Sequence, residues 1–292
     1  MRPHLILYSL LRRRMMKNRK DAVPGYRARH IISPIIAVVC ALPLLHIPPA
    51  GAFVVDSCRR ILAEGFYNDY ARSNARFRDQ AMYAQLCSSK FQHARQAINR
   101  AQQSGPDNSF GFSYGLFSQS ESGPSPGRHS PDGSLSEDRF NQWKSAYCSK
   151  NSLADSSRAA EFLMQKVVPR SVANAWSACM QKREGLTCWA TPQNKEIMLN
   201  VNWTKTGSLQ PQVSHSYLTR GAVSKFEGAD IRRILPVGYK LNPETLQIPI
   251  ARETDRAVVA SIQVNHEGVE HSCNVFIPGE RDFALTTPFV AR

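Results

Sequence analysis

The stretch VVASIQVNHEGVEHSCNVFI, residues 258–277, decides the fold class of the C-terminal part of this chain. Apolar residues alternate with polar ones on both sides of a glycine-containing turn, which is the period of half-buried strands and not of a helix. The first arm puts Val258, Ala260, Ile262 and Val264 on one face, and the second puts Val269, Cys273, Val275 and Ile277 there. Even and odd positions share a face only across a loop with an even residue count, because a slip of one residue turns every side chain over. A loop of Glu267-Gly268, or all of 265–268, meets that condition.

Outward from the hairpin, EIMLNVNW alternates Ile197, Leu199, Val201 and Trp203 against polar residues. Further strands are expected near 211–218 and 245–251. Residues 185–292 therefore read as a small antiparallel β-sandwich domain. Cys188 and Cys273 fall on buried strand faces with Trp203 between them, a pattern that resembles an immunoglobulin-like core. A tight hairpin before the second cysteine, and a helix in place of the first strand, depart from that pattern, and the reading stays at β-sandwich.

Before Gly185 the period is helical. Asp56 and Ser57 can cap a segment carrying Ile61, Leu62, Phe66 and Tyr70, and a second segment presents Tyr83, Leu86, Phe91, Ala94 and Ile98. Ser136 can cap SEDRFNQWKSAYC, whose Phe140, Trp143 and Tyr147 line one face. Pro169 separates two more helices, near 153–167 and 170–182, since proline lacks the amide that would continue the first. The whole is an α+β protein: an N-terminal disulfide-stapled helical domain over 53–184, then the sandwich.

Residues 1–52 have a different character. Nine of the 37 Lys and Arg, and one of the 23 Asp and Glu, lie there, which leaves 28 basic and 22 acidic residues and cuts the net charge from +14 to +6. A basic leader, the short apolar run Ile35 to Leu45 and the small residues Ala50-Gly51-Ala52 match a signal peptide, with cleavage expected after Ala52. The run is shorter than the roughly 20 residues of a spanning helix. An uncleaved anchor, acylation at Cys40 and a twin-arginine signal at Arg13-Arg14 are the competing readings. The expected location is exported, periplasmic or extracellular. The remaining basic pairs Arg59-Arg60, Lys182-Arg183 and Arg232-Arg233 are interrupted by acids and read as solvated surface, so no nucleic-acid partner is expected.

Of the seven cysteines, Cys40 lies in the leader. The other six, Cys58, Cys87, Cys148, Cys179, Cys188 and Cys273, form an even set, as expected for full pairing in an oxidising compartment. The midpoint of Cys58 and Cys87 falls on Arg72-Ser73, the break between two helices. If those helices form a hairpin, the two sulfurs sit at equal height, given the constant rise per residue. The expected set is Cys58–Cys87, Cys148–Cys179 and Cys188–Cys273, with Cys179–Cys188 as an alternative.

Between the helices, 19 of the 32 residues in 104–135 are Ser, Gly or Pro, a composition that cannot build a core. The segment nevertheless carries Phe110, Phe112, Tyr114 and Phe117, either tucked back onto the helices or exposed for contact with a membrane or partner. GFSYG, 111–115, satisfies the G-x-S-x-G pattern around Ser113 but lacks the strand and helix of a nucleophile elbow. HEGVEH, 266–271, spaces its histidines by five, unlike a zinc helix. His266 is expected to be solvated near the turn and His271 to sit at a core or edge position; His93, His129 and His215 have no evident partners. Asn202-Trp203-Thr204 matches a glycosylation sequence, although its place inside an alternating strand disfavours the accessible asparagine that a glycan needs. No metal or other cofactor is implied. The expected role is non-catalytic binding of a protein or envelope component, or an envelope-structural one; the alternatives are a membrane-active loop at 110–117 and a serine hydrolase using Ser113.

Overall fold

The computed structural model describes residues 50–104, 116, 135–193, 196–204 and 207–284, with side chains from Ser57 onward. Residues 1–49 of the leader, with Cys40, and Phe110, Phe112, Ser113, Tyr114, Phe117 and His129 lie outside the described residues, whereas the expected cleavage point after Ala52 falls within the first helix. The fold is α+β. Among the described residues, α1 (Ala50–Asn68), α2 (Ala75–Ser88), α3 (Phe91–Gln103), α4 (Glu137–Tyr147), α5 (Leu153–Gln165) and α6 (Arg170–Gln181) precede all strands.

Local chemistry accounts for the helix ends. Asn74 Oδ1 accepts from the amides of Arg76 at 3.0 Å and Phe77 at 3.4 Å, Ser136 Oγ from Arg139 at 3.3 Å, and Ser152 Oγ from Asp155 at 3.1 Å. Each satisfies an amide that has no partner within its own helix. Pro169 stands at the N-cap of α6 and makes the expected break. Two boundaries differ from expectation. Helix α1 starts at Ala50, so Asp56 and Ser57 lie inside it, and the second expected segment is two helices, parted at Ser89-Lys90.

The helices do not pair in chain order. Helix α1 packs on α6, and α2 packs mainly on α5. Gly65 is the crossing point of α1 and α6: a Cβ there would overlap the side chain of Val172. This corrects two of the expected disulfides. The bonds are Cys58–Cys179, with Cα atoms 5.6 Å apart, and Cys87–Cys148, at 5.3 Å. The equal-height construction assumed a hairpin of neighbours in sequence, whereas burial of two apolar faces placed each helix against a partner remote in sequence. The third bond, Cys188–Cys273, is as expected.

The strands are β1 (Gly185–Pro192), β2 (Ile197–Thr204), β3 (Gln212–Leu218), β4 (Val223–Phe226), β5 (Ala229–Ile231), β6 (Leu246–Ala251), β7 (Val258–His266) and β8 (Val269–Ile277). They form two antiparallel sheets, ordered β1-β2-β6-β4-β5 and β3-β7-β8. Cys188–Cys273 ties β1 of the first to β8 of the second. The β7–β8 register pairs His266 with Val269, so the loop is Glu267-Gly268. Both loop residues have positive φ, 54° and 82°, as a two-residue hairpin turn of the I′ type requires. Val258, Ala260, Ile262, Val264, Val275 and Ile277 are buried as expected, but Val269 is 58% exposed.

Helices and sheets meet directly within one compact unit, 47–292. Trp189 and Phe276 from the strands enter the helical core, and Phe162 from α5 enters the sandwich core. Gln165 Nε2 donates to the Ala190 carbonyl at 3.0 Å and Gln80 Nε2 to the Glu280 carbonyl at 2.8 Å.

Candidate functional site

A cleft of about 610 Å³ opens between α1, the α2–α3 corner, α3 and α5. Each wall is a single helical stripe. Arg60, Ala63 and Tyr67 line it from α1, Ser157, Ala160, Glu161 and Met164 from α5, and His93, Ala97 and Arg100 from α3, with Lys90 just ahead of that helix. Steps of three and four residues keep such a set on one side of a helix. On α3 the adjoining stripe of Ala94, Ala97, Ile98 and Ala101 is buried in the helical core, which fixes the rotation of the helix and sends its cations to the cleft rim.

The charge is one-sided. Arg59 meets Glu161 with Nη2 at 2.7 Å and Nε at 2.8 Å from the same carboxylate oxygen. Arg60, Lys90 and Arg100 have no carboxylate partner among the described residues. The Arg100 guanidinium lies 5.6 Å from the centroid of the Tyr67 ring. Tyr67 donates its hydroxyl proton to Gln85 Oε1 at 2.8 Å. Burial pushes the Tyr67 phenol well above its ordinary range, against the opposing pull of Gln85 and Arg100, so it stays a neutral donor.

Two further depressions share walls with the cleft. One of about 350 Å³ adds Glu64, Asn68, Gln103 and Ser104 beyond Tyr67 and Arg100. Another of about 320 Å³ lies beyond Arg59 and Glu161, where Arg158, Arg183 and the Cys188–Cys273 bond line it. Arg158 is partnered by Asp155 at 3.4 Å. Burial lowers the pKa of Arg183 from its ordinary value, and Glu161 opposes that shift. Together the three depressions make a groove with more cations than carboxylates.

The hydroxyls of Ser88 and Ser89 both donate to the Gln85 carbonyl, at 2.9 and 2.7 Å, and Lys144 Nζ donates to the Ser89 carbonyl at 2.7 Å. These bonds shape the α2–α3 corner. The cleft thus presents cations, neutral donors and an apolar floor, groups suited to holding a ligand. No helix among the described residues is long and apolar enough to cross a membrane, and no cluster of three metal-ligating side chains occurs among them.

The structure sorts the residues singled out from sequence. The six cysteines are all bonded. Arg59-Arg60, read as solvated surface, lies on the cleft, as does His93. Of the residues between 105 and 134 only Leu116 is described, and it is 1% exposed within the helical core. His266 is a correction: it is 6% exposed, not solvated, because Trp203 from the opposite sheet packs over it at 4.9 Å and its Nε2 lies 3.1 Å from the Leu209 carbonyl oxygen. His271 meets the same indole edge-on at 5.2 Å.

Asn202, in the glycosylation sequence, lies inside β2. Its Nδ2 donates to the Gln181 carbonyl at 2.9 Å and its Oδ1 accepts from Thr245 at 2.9 Å. A nitrogen so engaged, in a buried side chain, is not a glycan acceptor.

The cleft itself was missed in the sequence, although its signal is present: Lys90, His93, Ala97, Arg100 and Ser104 recur at steps of three and four, a polar stripe beside an apolar one. Comparison of the chain with family models, curated proteins and solved structures returns no match.

Proposed function

We propose that this chain is an exported, disulfide-stapled binding protein that seats a ligand in the cleft between α1, α3 and α5 without transforming it. One observation carries the reading: both helical disulfides adjoin the cleft walls. Cys58 immediately precedes Arg59 and Arg60, and Cys87 immediately precedes Ser88, Ser89 and Lys90. Cross-links at those positions hold the walls in place before a ligand arrives, which reduces the ordering cost of binding. Three intramolecular disulfides fit an oxidising compartment, and the basic leader with its short apolar run supports export.

The test uses the oxidised full chain as it is recovered from an oxidising compartment. Native mass spectrometry against envelope extracts, with hydrogen exchange on any complex found, is expected to show a retained ligand of unchanged mass and protection of α1, α3 and α5. Protection confined to the sandwich loops, or a ligand released with altered mass, overturns the reading. Full-length chain inside cells with freely labelled thiols would refute the export half of it.

A further inference from the structure

The chemistry of the cleft also specifies what it takes, and this step rests on the reading of the cleft as the binding site. The floor is apolar: Ala63, Ala97, Ala160 and Met164 line it beside the Tyr67 ring. The rim is cationic, with Arg60 on α1 and Lys90 and Arg100 at opposite ends of α3. Ten residues at a rise of about 1.5 Å put those two ends of α3 roughly 15 Å apart along the helix axis. Among the described residues the cleft itself carries one carboxylate, Glu161, which is already taken by Arg59, and Glu64 in the adjoining depression beyond Arg100 makes no ion pair. A neutral apolar ligand would leave the three exposed rim cations, none of which meets a carboxylate, without a counter-charge. A bare inorganic anion would leave the floor wet. Only a ligand with both parts uses both surfaces.

We infer that the cleft binds an amphipathic organic anion, its apolar body on the Ala63, Ala97, Ala160 and Met164 floor and its phosphate, sulfate or carboxylate head at the rim formed by Arg60, Lys90 and Arg100. Arginine and lysine both recognise such heads, arginine by a two-pronged fork and lysine as a point charge. The volume is in the range of pockets that enclose a small organic molecule.

Dodecyl phosphate below its micellar concentration is the probe, titrated calorimetrically into the oxidised full chain. Dodecyl maltoside, dodecyltrimethylammonium and inorganic phosphate are the comparison ligands. Saturable one-to-one binding of dodecyl phosphate is expected, with each comparison ligand at least about tenfold weaker, the equivalent of one charge-assisted contact or of the lost apolar burial. Arg60→Glu with Lys90→Glu, both exposed and without a side-chain ion pair among the described residues, is expected to weaken binding by more than about tenfold. Arg232→Glu with Arg233→Glu makes the same charge change on exposed residues outside the cleft and is expected to change affinity less than about twofold, because exposed charges are screened over a Debye length.

Equal affinity for the maltoside or for inorganic phosphate, or equal loss in the two charge-reversed pairs, overturns the inference while leaving the cleft as a binding site. No binding of dodecyl phosphate also overturns it. Flotation separates a free amphiphile from a bilayer source: association with phosphatidylglycerol vesicles, but no uptake of monomeric dodecyl phosphate, overturns it in favour of a membrane surface.

Discussion

Replacing Cys87 and Cys148 together by serine tests both the connectivity and the role given to the cross-links. The bond closes a loop of 61 residues in sequence, and that loop contains the Ser/Gly/Pro-rich segment, so the chain it restrains is one of high entropy once unfolded. Loop-closure entropy at that length amounts to about 4 kcal/mol at 25 °C. Because Cys58–Cys179 encloses the same segment, the denatured chain is already partly restrained, and a loss of about 3 kcal/mol is expected. For a folded body of this size that is a fall of roughly 6 to 12 °C in Tm. Urea unfolding of the oxidised protein, followed by circular dichroism, should show a lower midpoint and a steeper dependence on denaturant, since releasing a cross-link expands the denatured ensemble. The variant should also bind dodecyl phosphate more weakly, because Ser88, Ser89 and Lys90 are no longer anchored. A stability loss below about 1 kcal/mol, or a peptide map joining Cys58 to Cys87, would refute the reasoning.

Three further outcomes are expected. Gly65→Ala should cost about 1 to 3 kcal/mol through overlap with Val172; combining it with Val172→Ala should recover part of the loss, and an additive effect in chemical unfolding would show that the two helices do not touch there. Asn202→Ala leaves the Gln181 carbonyl and the Thr245 hydroxyl without their partner and should destabilise by about 1 to 3 kcal/mol, while the wild-type chain made in a glycosylating host should carry no mass added at Asn202. Burial raises the pKa of Asp79 above its ordinary 3.8, with Arg78 opposing, so the folded state binds that proton more tightly than the unfolded one. Wild-type stability measured relative to Asp79→Asn should therefore fall as pH rises from about 4 to 7, and a rise would contradict the assigned cause.

The strand half of the fold was largely legible because a two-residue period leaves little freedom. Loop parity at Glu267-Gly268 was decidable from the faces of the two arms, and the structure has that loop. β4 and β5 were not seen, since segments of four and three residues are too short to show a period. Asn200 and Asn202 read as the solvated side of β2 but are buried. The main chain at the end of α6 and neighbouring strand groups satisfy their amides there, and such cover from a distant element leaves no trace in local alternation.

By itself the sequence determined what short-range chemistry controls. Alternation set the strands, Ser136 and Pro169 set helix ends, and six cysteines beyond a basic, apolar leader implied oxidation. Only the tertiary structure decided which helix lies against which. Long-range burial chooses among faces that are all apolar, and it took α1 to α6 and α2 to α5. That choice fixed the disulfide partners, drew Arg60, Lys90 and Arg100 around one cleft, and so made a candidate site from residues that look like ordinary surface charge one by one.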